Sequence, residues 1–259
     1  MPGTNRWGLT VINANLWHDW PQCRRALPRL EAFARLVEEH QADILLLQEV
    51  ARTKKFWSDQ WLAQRLGMAY VYSRANGHSA GIGFEEGLAV FSRYPLKRPL
   101  LYQLSPAENR FARRLALGTQ INSPYGKLLV FSVHLGLNRK QNSKQAVKLS
   151  NWVQSVSRGM STLVGGDFNA GEGSQQIKKL QRKWLDTFRH LNPFADGATH
   201  ELRWPWGKSF RRERLDYIFL KAQENYWKVL EARHLEIAGE RHSDHKAVLL
   251  KFAPVRVAR

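Results

Sequence analysis

An α/β fold is what this 259-residue sequence predicts, and three features predict it. Seven short apolar runs recur along the chain, several unbroken rather than alternating, as in strands covered on both faces. Between some of them, longer segments carry apolar residues at helical spacing. No Gly/Ser linker, internal repeat or low-complexity block divides the pattern, so the expectation is a single domain over residues 1–259.

Taken in order, the first strand is "LTVINA" (9–14), and a helix follows over "LPRLEAFARLVEEH" (27–40). Its face is set by Leu27, Leu30, Ala34 and Val37. "ADILLLQE" (42–49), "GLAVFSRY" (87–94) and "KLLVFSVHL" (127–135) read as the next strands. A second helix spans 140–158, with Ala146, Leu149, Val153 and Val156 on one face and lysines on the other. "STLVGG" (161–166), "LDYIFL" (215–220) and "KAVLLKF" (246–252) complete the strands. "WPWGKSFRRER" (204–214) reads as a loop that mixes aromatic rings with cations.

Composition narrows the classes. Hydrophobic residues make up 43% of the chain, enough for a packed core and unlike a disordered chain. The lone Cys23 excludes a disulfide framework and a Cys-based zinc site, and suits a reducing compartment. No apolar run nears the roughly 20 residues of a membrane helix, and "MPGTNRWGLT" lacks a signal peptide's apolar stretch. The expectation is a soluble, cytoplasmic protein without stable membrane insertion.

Forty Lys and Arg oppose 22 Asp and Glu, a net charge of +18. Residues 109–166 hold no acid and nine cations, from Arg110 to Arg158. Self-repulsion on this scale is unfavourable, so a polyanionic partner is expected, nucleic acid ahead of lipid headgroups.

The strands end on polar residues of a few kinds. Asn13 and Asn15 end the first, Gln48 and Glu49 the second, and His134 closes "FSVH". Asp167 and Asn169 follow the apolar run of "STLVGGDFNA". Asp216 opens "DYIFL", and Ser243, Asp244 and His245 lead into the last strand. Ligand sites in α/β sheets gather at strand termini. Carboxylates, carboxamides and imidazoles are the groups that hold a hard cation, position a phosphate and move a proton.

The order Asn, Gln-Glu, His, Gly-Asp-Phe-Asn, Asp-Tyr and Ser-Asp-His, carried by "LLLQE", "GGDFNA", "LDYIFL" and "SDHKAV", resembles the endonuclease/exonuclease/phosphatase superfamily from Asn13 to His245. The resemblance implies a DNase I-like four-layer α/β sandwich, two face-to-face mixed β-sheets flanked by helices. It implies a metal-dependent phosphodiesterase using Mg²⁺, with Mn²⁺ as the substitute. Glu49 matches the main metal ligand, with Asp244 as a further metal-side carboxylate and Asn13 beside the metal. Asn15 stands where some relatives use an aspartate and is expected to contact substrate. Asp167 and Asn169 match the pair that orients water and phosphate. Asp216 should orient His245, and His134 matches a phosphate-side histidine. Either Asp167 or His245 would activate the attacking water.

The superfamily cleaves nucleic acids, phospholipids and inositol phosphates on one core, so substrate class rests on charge. The basic stretch favours a nuclease acting on DNA, either an endonuclease or a DNA-end-processing phosphodiesterase. Trp206, with Trp204 and Phe210 among cations, suits base stacking, and Arg113 or Arg114 suits a phosphate. A lipid or inositol-phosphate hydrolase is the first alternative, with Trp17 and Trp20 as its only candidate docking residues. A non-catalytic nucleic-acid-binding module is the second, disfavoured because the motif residues are all present.

Overall fold

The computed structural model describes residues 7–105, 113–203, 206, 209–222, 226–236 and 241–255. The chain runs β1 (Leu9–Asn15), α1 (Ala26–Glu39), β2 (Ile44–Thr53), α2 (Ser58–Leu66), β3 (Ala69–His78), α3 (Ser79–Ile82) and β4 (Phe84–Ser92). It continues β5 (Leu96–Gln103), β6 (Leu115–Ser123), β7 (Gly126–His134), α4 (Arg139–Ser157), β8 (Thr162–Asp167), α5 (Gln175–Gln181), β9 (Leu185–Asp186) and α6 (Thr187–Leu191). It ends β10 (His200–Arg203), β11 (Ser209–Glu213), β12 (Asp216–Lys221), β13 (Trp227–Leu235) and β14 (Ala247–Pro254).

Two six-stranded mixed sheets result, ordered β13-β14-β1-β2-β4-β3 and β5-β6-β7-β8-β12-β9, with β10-β11 as a separate ribbon. Each sheet holds one parallel pair near its centre, β1 with β2 and β7 with β8. Each pair is joined by a helix, α1 or α4, as a parallel connection requires. The four central strands therefore run as the unbroken apolar sequences suggested. Residues 204–214, read from sequence as a loop, instead include strand β11, paired antiparallel with β10.

Side-chain alternation sorts the core into layers. From β1 and β2, Leu9, Val11, Ile44 and Leu46 meet Val130, Leu163 and Ile218 of the other sheet. Ile12, Leu45 and Leu47 point the opposite way, onto Leu30, Phe33 and Val37 of α1. On the far side, Phe131 and Val164 pack under Ala146, Leu149 and Val153 of α4. The order is helix, sheet, sheet, helix. The α1 face differs from expectation at one point: Leu27 is half exposed, and Phe33 carries the contact.

Gly165 lies where the two sheets approach tightly. A β-carbon there would sit 2.5 Å from Leu46 Cδ1 and 3.3 Å from Asn13 Oδ1. Gly165→Ala should therefore destabilise the fold by about 1–3 kcal/mol, the usual effect of overpacking. Chemical denaturation measures it, and an unchanged midpoint would mean the seam can open without strain.

His234 on β13 stacks on Phe188 with ring centroids 4.0 Å apart, and its Nε2 is buried without a partner. Burial, assisted by the Arg214 charge, pulls the imidazole down to about 4. The unfolded state, titrating near 6.5, then binds the extra proton first. Stability is full above pH 6.5 and should fall by about 3 kcal/mol as the pH drops towards 4. Urea midpoints across that range check this, and His234→Phe should flatten the slope.

Candidate active site

Both parallel pairs end at one edge of the sandwich, and the polar residues meet there. Glu49 arrives by a backbone irregularity. Leu47 pairs with Ala89 but Val50 with Gly87, so Gln48 and Glu49 together oppose the single residue Leu88. Glu49 itself has φ 53°, a left-handed conformation unusual for a residue with a β-carbon. By alternation Gln48 faces the second sheet with Ile44 and Leu46, and the bulge turns Glu49 off the helix-facing side of β2. Gln48 goes down between the sheets, donating to Asn13 Oδ1 at 3.0 Å and Ser132 Oγ at 2.9 Å. Glu49 goes up into the cleft, one-fifth exposed.

Asn15 ties the two sheets together. Its Nδ2 donates to Glu49 Oε1 at 3.0 Å and to Asp167 Oδ2 at 3.2 Å. Its Oδ1 accepts from the Trp17 amide at 2.9 Å, which fixes the carboxamide's orientation. The second Glu49 oxygen accepts from the His18 amide at 3.2 Å and lies 3.4 Å from His18 Nε2.

On the other sheet, His134, Asp167 and Asp216 stand side by side on β7, β8 and β12, register partners of one another. His134 Nε2 is 3.6 Å from Asp167 Oδ2. The other Asp167 oxygen accepts from the Asn169 amide at 2.8 Å, closing a turn in which Asn169 has φ 47° and donates its side chain to Leu135 O. Asp167 and Asn169 are thus turn formers, and both also line the cleft.

Asp216 is fully buried. Its Oδ2 accepts from Thr199 Oγ1 at 2.6 Å and from His245 Nδ1 at 2.8 Å. Arg214 does not neutralise it, because that guanidinium binds Asp186 at 2.6 Å and Glu172 at 2.7 Å. Donor atoms of Asp167, Asp216 and His245 lie within 4.8 Å of one another. Burial alone would pull His245 down, but the Asp216 charge and hydrogen bond overcome it and push the imidazole up to about 10. Burial first, then the Asp216 charge, raises Asp167 to about 7. His134 moves the other way, held well below 6.5 by burial and the nearby Arg114 charge.

The cleft these residues line has a volume of about 420 Å³, with Arg114, Leu137, His200, Leu202 and Arg211 in its walls. Two expected site residues, Asn13 and Arg113, do not line the cleft, whereas Asp244 stands at its margin, with ligating atoms of His200, Asp244 and His245 within 4.8 Å of one another. Asn13, two residues below Asn15 on the same face of β1, is fully buried; its Oδ1 accepts from Gln48 Nε2 at 3.0 Å, its Nδ2 has no hydrogen-bond partner among the described residues, and it does not line the cleft. Arg113 is turned onto the carbonyls of Ala75 at 2.7 Å and Arg74 at 3.1 Å, so of this adjacent pair Arg114 is the one that lines the cleft. Asp244 lies 3.8 Å from His200 and lines a neighbouring cavity that shares His200 and His245 with the cleft.

Trp206 is exposed between β10 and β11, whereas Trp204, Lys208, Arg110 and the Phe210 side chain fall outside the described residues. Trp17 lies under the Arg29 guanidinium and Trp20 stacks on Phe84, so both are engaged within the fold. Thr199 and His200 carried no sequence signal. His18 did, as an imidazole three residues beyond a strand tip.

The donor set fits a hard divalent cation. The Glu49 and Asp167 carboxylates are bridged by Asn15 Nδ2, and ligating atoms of Asp167, Asp216 and His245 lie within 4.8 Å of one another. Burial, helped by the Glu49 charge, also raises Glu86 on the adjacent β4. Three carboxylates at close quarters form a field that a cation relieves.

The profile of the Endonuclease/Exonuclease/phosphatase family matches residues 12–245, a span that takes in every side chain of the cleft. The chain belongs to the endonuclease/exonuclease/phosphatase family. A search of curated proteins found no match. Among solved structures, a family protein from Leptotrichia buccalis superposes with TM-score 0.77 at 20% identity, over 94% of this chain and 99% of that one. The human Nocturnin catalytic domain, with a sulfate anion bound, gives TM-score 0.74 at 19% identity, over 96% and 94%. A mannosyl-6-phosphatase from Bacteroides thetaiotaomicron gives 0.69 at 20%, over 95% and 99%. At such identities the likeness shows the fold. Endonuclease/exonuclease/phosphatase members are hydrolases of phosphoester bonds, and the two mixed sheets flanked by helices are their DNase I-like architecture. Among the described residues, no helix is long and apolar enough to cross a membrane.

Proposed function

We propose that the protein is a divalent-cation-dependent phosphodiester hydrolase acting on nucleic acid, with DNA as the first substrate. One observation carries the reading: Glu49, Asn15, Asp167, Asn169, His134 and His245, drawn from both sheets, converge on one edge, five of them lining a single cleft. Arg114 and Arg211 in its walls suit a substrate with more than one phosphate.

A magnesium or manganese ion held by Glu49 would neutralise a non-bridging phosphoryl oxygen and the charge growing on the leaving oxygen. The chain's own groups divide the remaining work. Asp167, raised to about 7, accepts the proton of the attacking water near neutral pH. His245, raised to about 10 against Asp216, keeps its proton and donates a hydrogen bond to the phosphoryl group. The base assigned here is Asp167, because a His245 imidazolium cannot accept a proton. His134, kept neutral, adds a hydrogen bond without a second positive charge. Asn15 holds Glu49 and Asp167 at fixed separation.

The test is a substrate panel with Mg²⁺ or Mn²⁺: plasmid DNA, single-stranded DNA, RNA, sphingomyelin, inositol phosphates and a sugar phosphate, with Glu49→Ala as control. Nucleic-acid cleavage lost in the control is expected. Lipid or sugar-phosphate turnover without nucleic-acid cleavage would overturn the proposal.

A further inference from the structure

The two outer helical layers are unlike in charge. On the first, α1 and α2 carry Glu31, Glu38, Glu39 and Asp59 against Arg29, Arg35 and Arg65. Arg65 is held by Glu31 at 3.0 Å and Glu38 at 2.6 Å. On the second, α4 and α5 contain no acidic residue and six cations: Arg139, Lys140, Lys144 and Lys148, then Lys178 and Lys179. Arg182 and Lys183 extend the set just past α5. All eight are exposed, and among the described residues none is ion-paired with a carboxylate. Lys183 alone is tied down, by a 3.0 Å hydrogen bond to Ser150 Oγ.

This arrangement opposes local stability in two ways. Arg139 and Lys140 occupy the first turn of α4, where the helix dipole favours acids. Lys140, Lys144 and Lys148 are each four residues apart, a repelling ladder of like charges about 6 Å apart along the axis. Local rules broken together, with no compensating contact, mark a functional surface. The ladder also begins at the cleft: Leu137 lines the cleft wall and Asn138 caps α4. Asn142 of α4 donates to Phe168 O at 2.7 Å, binding the layer to the Asp167 turn.

We propose that the α4–α5 layer is a second nucleic-acid surface, outside the cleft, which holds the phosphate backbone of the strand whose scissile bond sits at Glu49. It rests on the nucleic-acid reading of the cleft. A negatively charged membrane is the poorer partner, because Val147 is the only large hydrophobic side chain exposed on the two helices.

The test uses Lys140→Gln, Lys144→Gln, Lys148→Gln, Lys178→Gln and Lys179→Gln combined, none of which lines the cleft. Binding of a 30-nucleotide DNA strand is measured in the uncleaving Glu49→Gln background across a salt series. Turnover of bis(p-nitrophenyl) phosphate is measured with Glu49 intact. Affinity should fall at least about 10²-fold at low salt, with the salt slope reduced by about 3, since each single-strand phosphate contact adds about 0.7. Turnover of the small diester should not change. Unchanged affinity and slope would overturn the proposal, as would binding to phosphatidylserine vesicles without binding to DNA. DNA binding that depends on the five lysines, in a protein that cleaves no nucleic acid, would instead sink the cleft's assignment and leave the surface standing.

Discussion

Glu49→Gln should lower phosphodiester turnover by about 10³-fold or more while leaving the melting temperature equal or higher. Under the proposed function, the loss follows from removing the carboxylate that would hold the cation on the substrate. The gain in stability follows from the field it creates, since the Glu49 charge adds to what already raises Glu86 and Asp167. Function and stability thus oppose each other at one side chain, as at many active sites. Steady-state rates with thermal unfolding of the same preparation check both, and calorimetry should show magnesium binding lost. A variant that keeps wild-type turnover removes Glu49 from the mechanism.

Asp216→Asn should be almost as damaging, about 10³–10⁴-fold, although Asp216 is buried beneath His245. Without its charge, burial dominates and the imidazole falls from about 10 towards the acid side. His245 would then be neutral at pH 8 and could not donate as an imidazolium. Residual activity should shift to lower pH, losing its alkaline limb first. Adding His245→Gln to Asp216→Asn should cost little more, because residues acting as a unit are not additive. A purely structural role for Asp216 predicts a lower melting temperature with an unmoved pH profile, which is the outcome that would refute the pairing.

Legibility in the sequence followed burial. The central strands β1, β2, β7, β8, β12 and β14 are covered on both faces, so their apolar runs are unbroken and easy to read. The strands that escaped notice are the four sheet edges, β3, β5, β9 and β13, the ribbon β10–β11, and one interior strand, β6, whose apolar run is broken by Gly118, Thr119 and Gln120. β13 alternates, with Trp227, Val229 and Ala232 inward and Lys228 and Glu231 outward. β5 carries Pro99 beside a register shift, which an edge tolerates and a central strand does not.

At the site, residue type was legible where position was not. Asn13 and Asn15 share a face of β1, and only position along the strand decides that Asn15, not Asn13, reaches Glu49 and Asp167. Arg113 and Arg114 differ likewise by which neighbour offers free carbonyls. Thr199 could not be found from the sequence, because its role exists only through a hydrogen bond to a residue 17 positions away.

The bond from Asn15 to Asp167 spans the seam between the sheets, and neither sheet owns a complete set of reacting groups. Hydrolytic capacity is therefore an emergent property of docking. A nascent or partly melted chain, with one sheet formed and its mate still loose, is chemically silent.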